Sequence, residues 1–140
     1  METRLLGFNI TKINVEKNPN YQGEIQLKSN IDISSLEKHE SDLIKQEAVK
    51  ISFNFCLDYG SLGNLSIHGF MYLIFDEKTT KKVLEDWKNK KYLDDEPNTL
   101  IVNIILQRCT LRALQLEEEM NLPFHVQLPH AKIQKKTDSK

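Results

Sequence analysis

The 140-residue chain is long enough for one domain built around one hydrophobic core. Its 19 basic and 20 acidic side chains give a net charge of -1, so it lacks the basic excess that is typical of nucleic-acid-binding domains. No apolar run approaches the length of a membrane span, and the first residues lack the apolar core of a signal peptide. We therefore expect a soluble, cytoplasmic protein without membrane insertion and without a nucleic-acid partner.

The first 76 residues have the alternating apolar pattern of β-strands. A first strand is predicted over residues 6–15. Its apolar positions change phase between Ile10 and Ile13, which indicates a bulge at Thr11 or Lys12.

Three more strands are predicted before residue 76. The second covers residues 25–33, the polar residues 34–42 form a connection, and the third covers residues 49–57. A glycine-rich hairpin loop at residues 58–64 leads to the fourth strand, residues 65–75. Sequential strands joined by short turns favour an antiparallel, meander-like sheet.

The fourth predicted strand is apolar on both faces. One face is expected to be core and consists of Leu65, Ile67, Gly69, Met71, Leu73 and Phe75. The opposite face begins polar and then turns apolar at Phe70, Tyr72 and Ile74. This second apolar face has three interpretations. A helix of the same chain covers it, another subunit covers it, or it is an open groove for apolar ligands. The third is included because large exposed apolar patches mark binding surfaces.

Two helices are predicted after the strands. Residues 76–92 place Val83, Leu84 and Trp87 at helical spacing among lysines, which predicts a short amphipathic helix with a solvated basic face. The acidic residues 94–96 precede Pro97 and are typical of a helix start.

The second helix is predicted from about Pro97 to Glu119. Its first half is apolar almost all round. Because a single sheet covers only one side of such a helix, we expect a partner subunit on the other sides. The candidate interface residues are Leu100, Ile101, Ile104 and Ile105. The acidic end, residues 117–119, opposes the helix dipole and is expected to be set by solvation or by a partner.

Residues 121–133 contain two prolines and alternating apolar side chains, which predict an extended segment lying along an apolar surface. We place a single domain over residues 1–134 and a polar flexible tail over residues 135–140.

No catalytic or metal-binding constellation is evident among the motifs. The chain has no nucleotide-binding loop and no close pair of histidines. A metal site formed by His125, His130 and Cys109 is disfavoured, because spacing alone is weak evidence for convergent ligands. A cation site at residues 94–96 is likewise less favoured than a helix cap. We expect a protein that is not an enzyme and that needs no cofactor or metal.

Three stretches resemble the SecB family of protein-export chaperones. Residues 49–75, VKISFNFCLDYGSLGNLSIHGFMYLIF, resemble the family's third and fourth strands. Residues 96–114, EPNTLIVNIILQRCTLRAL, resemble its long helix, which opens on Pro-Asn followed by Leu and has a Cys near its middle. Residues 121–129, NLPFHVQLP, resemble its post-helix segment. The tail AKIQKKTDSK replaces the family's short second helix and metal-binding end, so the resemblance is to a divergent member.

The resemblance implies an α+β fold, with a four-stranded antiparallel sheet and a long C-terminal helix. It also implies a homotetramer, a dimer of dimers with the long helices between sheets. Such a protein holds unfolded or precursor polypeptides in apolar grooves without ATP, in export or beside a toxin–antitoxin pair. The candidate client-binding residues are Phe70, Tyr72, Ile74, Leu122, Phe124 and Val126. The alternatives are a carrier of a small apolar ligand, or an adaptor or antitoxin that binds one folded partner.

Overall fold

Four strands and two helices make up residues 3–41 and 44–133, the part of the chain that the computed structural model describes. The elements are β1 (Thr3–Lys17), β2 (Lys28–Ser41), β3 (Ile44–Asp58), β4 (Gly63–Phe75), α1 (Glu77–Lys90) and α2 (Asp95–Met120). The predicted α+β class, with a four-stranded antiparallel sheet and a long C-terminal helix, is confirmed. The tail predicted over residues 135–140 lies outside the described residues.

The strand order is β1-β4-β3-β2, with every neighbouring pair antiparallel. Strands β2, β3 and β4 form the predicted meander. The prediction is wrong for β1, which pairs with β4 instead of β2. This arrangement makes β4 a central strand, which suits a segment that is apolar on both faces.

The observed bounds of β2 differ from those that the apolar alternation predicts. Ile25 and Leu27 precede the strand and are exposed. The polar residues 34–41, predicted as a connection, instead continue β2 and pair with β3, with Leu36 opposite Ile51. Backbone pairing at a sheet edge overrides side-chain polarity here, because an edge strand has solvent beside it and accepts polar residues. The predicted bulge in β1 is confirmed by a register shift between Ile10 and Lys12.

Both helices pack on one face of the sheet, called the covered face. Its fully buried side chains come from β3, β4 and α2 and include Ile51, Phe53, Phe55, Ile67, Met71, Leu73, Ile101, Ile105, Cys109 and Ala113. Val83 of α1 belongs to the same cluster. The core is therefore a single two-layer interface.

Caps fix the helix ends. The carboxylate of Asp76 accepts a 2.7 Å hydrogen bond from the Thr79 N–H at the start of α1. Lys91 ends α1 and Asn121 ends α2, both in the left-handed conformation. Among the described residues, neither helix has the length and apolar character needed to cross a membrane.

Candidate functional site

The uncovered face of the sheet consists of the side chains that alternate with the core. Its central residues are Lys50, Ser52, Asn54, Asn64, Ser66, His68, Phe70, Tyr72 and Ile74. No helix packs on this face in residues 3–41 and 44–133, since the helices share one cluster with the covered face. The face thus presents β4, a central strand, without a second layer.

One end of the uncovered face carries an aromatic cluster, defined as Phe70, Tyr72 and His39. The rings of Phe70 and Tyr72 meet edge to face with centroids 5.4 Å apart. The His39 ring tilts over Tyr72 at 4.5 Å, and the Lys50 ammonium lies 4.6 Å from the Phe70 centroid. Phe70 and Tyr72 nevertheless remain half-buried. The cluster shields itself in part and keeps apolar surface available to a partner.

Ile74 differs from its two predicted companions. It lies at the end of β4 and is buried, at 9% exposure. Of the three candidates on this face, Phe70 and Tyr72 therefore supply the accessible surface. The alternative that they pack under the long helix does not hold, because α2 lies on the covered face.

The other end of the uncovered face is polar. The His68 ring bonds to Asn54 on the neighbouring strand, and the Thr11 hydroxyl donates to the His68 carbonyl at 3.2 Å. Satisfied polar side chains of this kind remain solvated at little cost. The boundary between the two ends falls between His68 and Phe70.

The segment after α2 contacts the covered face, on the opposite side of the sheet from the aromatic cluster. Leu122 is buried in the core. Beyond it the predicted alternation reverses, because His125 turns inward and its ring meets Phe55 edge-on at 6.0 Å. Phe124 and Val126 are 45% and 37% exposed. Within one chain, these candidates do not form a common groove with Phe70 and Tyr72.

A buried polar network centred on Glu117 was not anticipated from the sequence. The Glu117 side chain is fully buried and accepts a hydrogen bond from the Tyr59 hydroxyl. It also accepts from the His125 backbone N–H at 3.1 Å and lies 2.9 Å from the His125 Nδ1. Burial, together with the bond to Glu117, raises the pKa of Tyr59 far above its usual range, so Tyr59 is a neutral donor. The acidic residue that opposes the helix dipole thus has partners inside the fold.

The His125 ring is satisfied on one side only. Its Nδ1 lies within hydrogen-bond distance of the Glu117 side chain. Its Nε2 is buried and has no hydrogen-bond partner among the residues that the structure describes.

The interface candidates on α2 divide into two pairs. Ile101 and Ile105 are fully buried against the chain's own sheet, so they present no surface to a partner. Leu100 and Ile104 are half-buried and line an open cleft of about 320 Å³ between α2 and β1. Leu106 and Leu111 are exposed further along the helix, at 44% and 66%. The surface available for assembly is therefore Leu100, Ile104 and these outward leucines.

Residues of the two disfavoured metal sites have structural roles in the fold. Cys109 is buried in the core, and burial raises the pKa of its thiol to about 12. Asp94 is the N-cap residue of α2 and lies 3.9 Å from the Lys82 ammonium. Within the ranges 3–41 and 44–133, no three His, Cys, Asp or Glu side chains converge as a metal site.

Comparisons with protein-family models, with curated proteins and with solved structures found no match to this chain.

Proposed function

We propose that this protein is an ATP-independent holdase that binds unfolded or precursor polypeptides. The observation that carries the proposal is the half-exposed aromatic cluster on the uncovered face of a central strand. A strand flanked by two neighbours normally buries apolar side chains beneath a second layer, and in residues 3–41 and 44–133 both helices pack on the other side of the sheet. Apolar surface left in that position favours a binding partner.

An extended polypeptide suits this surface better than a small molecule. Partly exposed rings along a strand, flanked by polar groups, offer places for successive side chains of a client without enclosing it. Each large apolar side chain that becomes fully buried contributes about 1.5–3 kcal/mol, whatever its neighbours in the client sequence. Several such contacts hold an unfolded chain without selecting one sequence.

The cleft between α2 and β1 gives weaker support to a carrier of small apolar ligands. It opens to solvent, and three of its seven lining residues are polar: Thr3, Asn103 and Gln107. Carrier sites usually enclose most of the ligand surface among apolar side chains. We assign this cleft instead to assembly, where Leu100 and Ile104 meet another subunit of a homo-oligomer, by resemblance a dimer of dimers. Binding of one folded partner, as an adaptor or antitoxin does, remains the alternative function.

The proposal is tested by suppression of aggregation. Two or more unrelated proteins are denatured, diluted into buffer with the purified chain, and followed by light scattering. We expect suppression at near-stoichiometric ratios, unchanged by ATP with magnesium, because the sequence has no nucleotide-binding loop. Suppression for none of the clients, or ATP-dependent release by this protein alone, would contradict the proposal.

A further inference from the structure

Residues 123–133, called the strap, are attached to the body mainly through one carboxylate. The Glu117 carboxylate accepts a hydrogen bond from the backbone N–H of His125 and lies beside the Nδ1 of the same residue. The strap begins at Pro123, directly after Leu122, which is anchored in the core and whose N–H donates to the Glu117 carbonyl at 2.8 Å. Among the described residues, the strap therefore has a fixed hinge and one polar point of attachment to the body.

The apolar side chains of the strap are only partly buried. Phe124, Val126 and Leu128 are 45%, 37% and 39% exposed, and Ile133 is 95% exposed. Stable packing of an extended segment against a core normally turns such residues inward. Here the residue that turns inward is His125, whose Nε2 has no partner among the described residues.

Opening of the strap breaks the contacts of Glu117 with His125 and leaves the contact of Glu117 with Tyr59 in place. Glu117 keeps its bond from Tyr59 and exchanges the His125 donors for water. The buried His125 Nε2 becomes accessible to water. Segments with few buried apolar contacts open locally at lower free energy than the core.

We propose that the strap is a detachable internal stand-in for a client, latched by Glu117 over the apolar surface at Phe55. Released, it uncovers a second polypeptide-binding position on the covered-face side of the sheet, away from the aromatic cluster. This inference rests on the proposed function. A client that occupies the uncovered position competes with the strap, so apparent affinity rises with the fraction of open molecules.

Hydrogen exchange on the full-length chain tests the latch without any client. Three proteins are compared: wild type, Glu117→Gln, and Glu118→Gln as a control at the exposed neighbouring residue. We expect amides of the strap to exchange at least about tenfold faster in Glu117→Gln, with a smaller acceleration in β3 and β4. Equal acceleration of strap and strands, or no acceleration, overturns the latch. Should Glu117→Gln fail to fold, His125→Ala removes the ring contact and keeps the buried carboxylate.

Client affinity tests the stand-in role. The probe is a reduced, carboxymethylated protein that cannot refold, labelled for fluorescence anisotropy. We expect Glu117→Gln to bind it at least about threefold more tightly than wild type and Glu118→Gln. Faster strap exchange without tighter binding overturns the stand-in role and leaves the proposed function intact. Absence of binding by every variant overturns the proposed function together with the stand-in role, and the exchange result then shows only a detachable segment.

Discussion

Both faces of β4 carry large apolar side chains, and the two sets reach opposite outcomes. On the covered face, Met71 and Leu73 are fully buried under α2. On the uncovered face, Phe70 and Tyr72 lean on each other, on His39 and on a lysine. Apolar alternation alone therefore does not identify core, because a strand becomes core only on the side where a second layer arrives.

The contrast extends to how polar groups are treated. Glu117 on the covered side is fully buried and depends on Tyr59 and His125. His68 and Asn54 on the uncovered side bond to each other while staying partly accessible. Loss of a partner should be costly in the first case and mild in the second.

The largest expected difference lies between two phenylalanines on adjacent central strands. Phe53→Ala should lower the free energy of unfolding by about 3–5 kcal/mol, because Phe53 is fully buried and stacks on Phe8 at 5.0 Å. Phe70→Ala should cost under about 1.5 kcal/mol, since its ring is half-exposed. Urea unfolding measures both, and equal losses would mean that the uncovered face is also core.

A smaller difference is expected between two tyrosines. Tyr59→Phe removes a hydrogen bond to a buried carboxylate and should cost about 1.5–3 kcal/mol. Tyr72→Phe keeps the ring contacts with Phe70 and His39 and should change stability by less than about 0.5 kcal/mol. Chemical denaturation of the two variants side by side measures both changes. If Tyr59→Phe left the free energy of unfolding unchanged, the Glu117 network would not contribute to stability.

Two glycines sharpen the comparison further. A Cβ at Gly69 on the covered face would lie 2.9 Å from the Phe53 ring and would overlap the Asn9 carbonyl of β1. Gly69→Ala should therefore cost about 1–3 kcal/mol. A Cβ at Gly7 would meet Tyr72 at 3.8 Å, an ordinary contact, so Gly7→Ala should stay within about 0.5 kcal/mol of wild type. Thermal unfolding of both variants is the measurement, and a tolerated Gly69→Ala would argue against the close approach of β1 to β4.

The smallest perturbation is thiol labelling. Cys109 is fully buried and burial raises its pKa to about 12, whereas Cys56 on the uncovered face is partly accessible with a pKa raised by burial and by Asp32. Because only the thiolate reacts, labelling at pH 8 should modify Cys56 slowly and Cys109 only after unfolding. Mass spectrometry of the labelled peptides locates the modification, and early labelling of Cys109 would indicate that α2 lifts from the sheet.

Local patterns predicted the elements that local interactions determine. Alternation placed β3 and β4, the change of phase between Ile10 and Ile13 placed a bulge, and the acids before Pro97 placed the start of α2. Each of these depends on residues close in the chain, so composition and spacing are sufficient.

Pairing between segments that are distant in the chain determined the features that local patterns did not predict. Nothing local requires β1 to cross to β4, or the polar residues 34–41 to continue β2. The alternation of 122–128 predicted an extended segment along an apolar surface, and it did not indicate that His125 turns inward to the buried Glu117. The sequence signal of that network was the acidic C-terminal end of α2, which opposes the helix dipole. This signal did not indicate which residues would be the partners of Glu117.

Client binding by two matched double variants tests the central claim most directly. Phe70→Ser with Tyr72→Ser removes the aromatic rings, and Asn14→Ser with Asn64→Ser alters the polar end of the same face. Affinity for a reduced, carboxymethylated client is measured beside thermal unfolding and oligomer mass. We predict at least about tenfold weaker binding for the aromatic pair alone, at wild-type mass and with little change in the unfolding midpoint. Unchanged affinity, or loss of folding or of the oligomer before any selective loss of binding, would contradict the claim that this face binds clients.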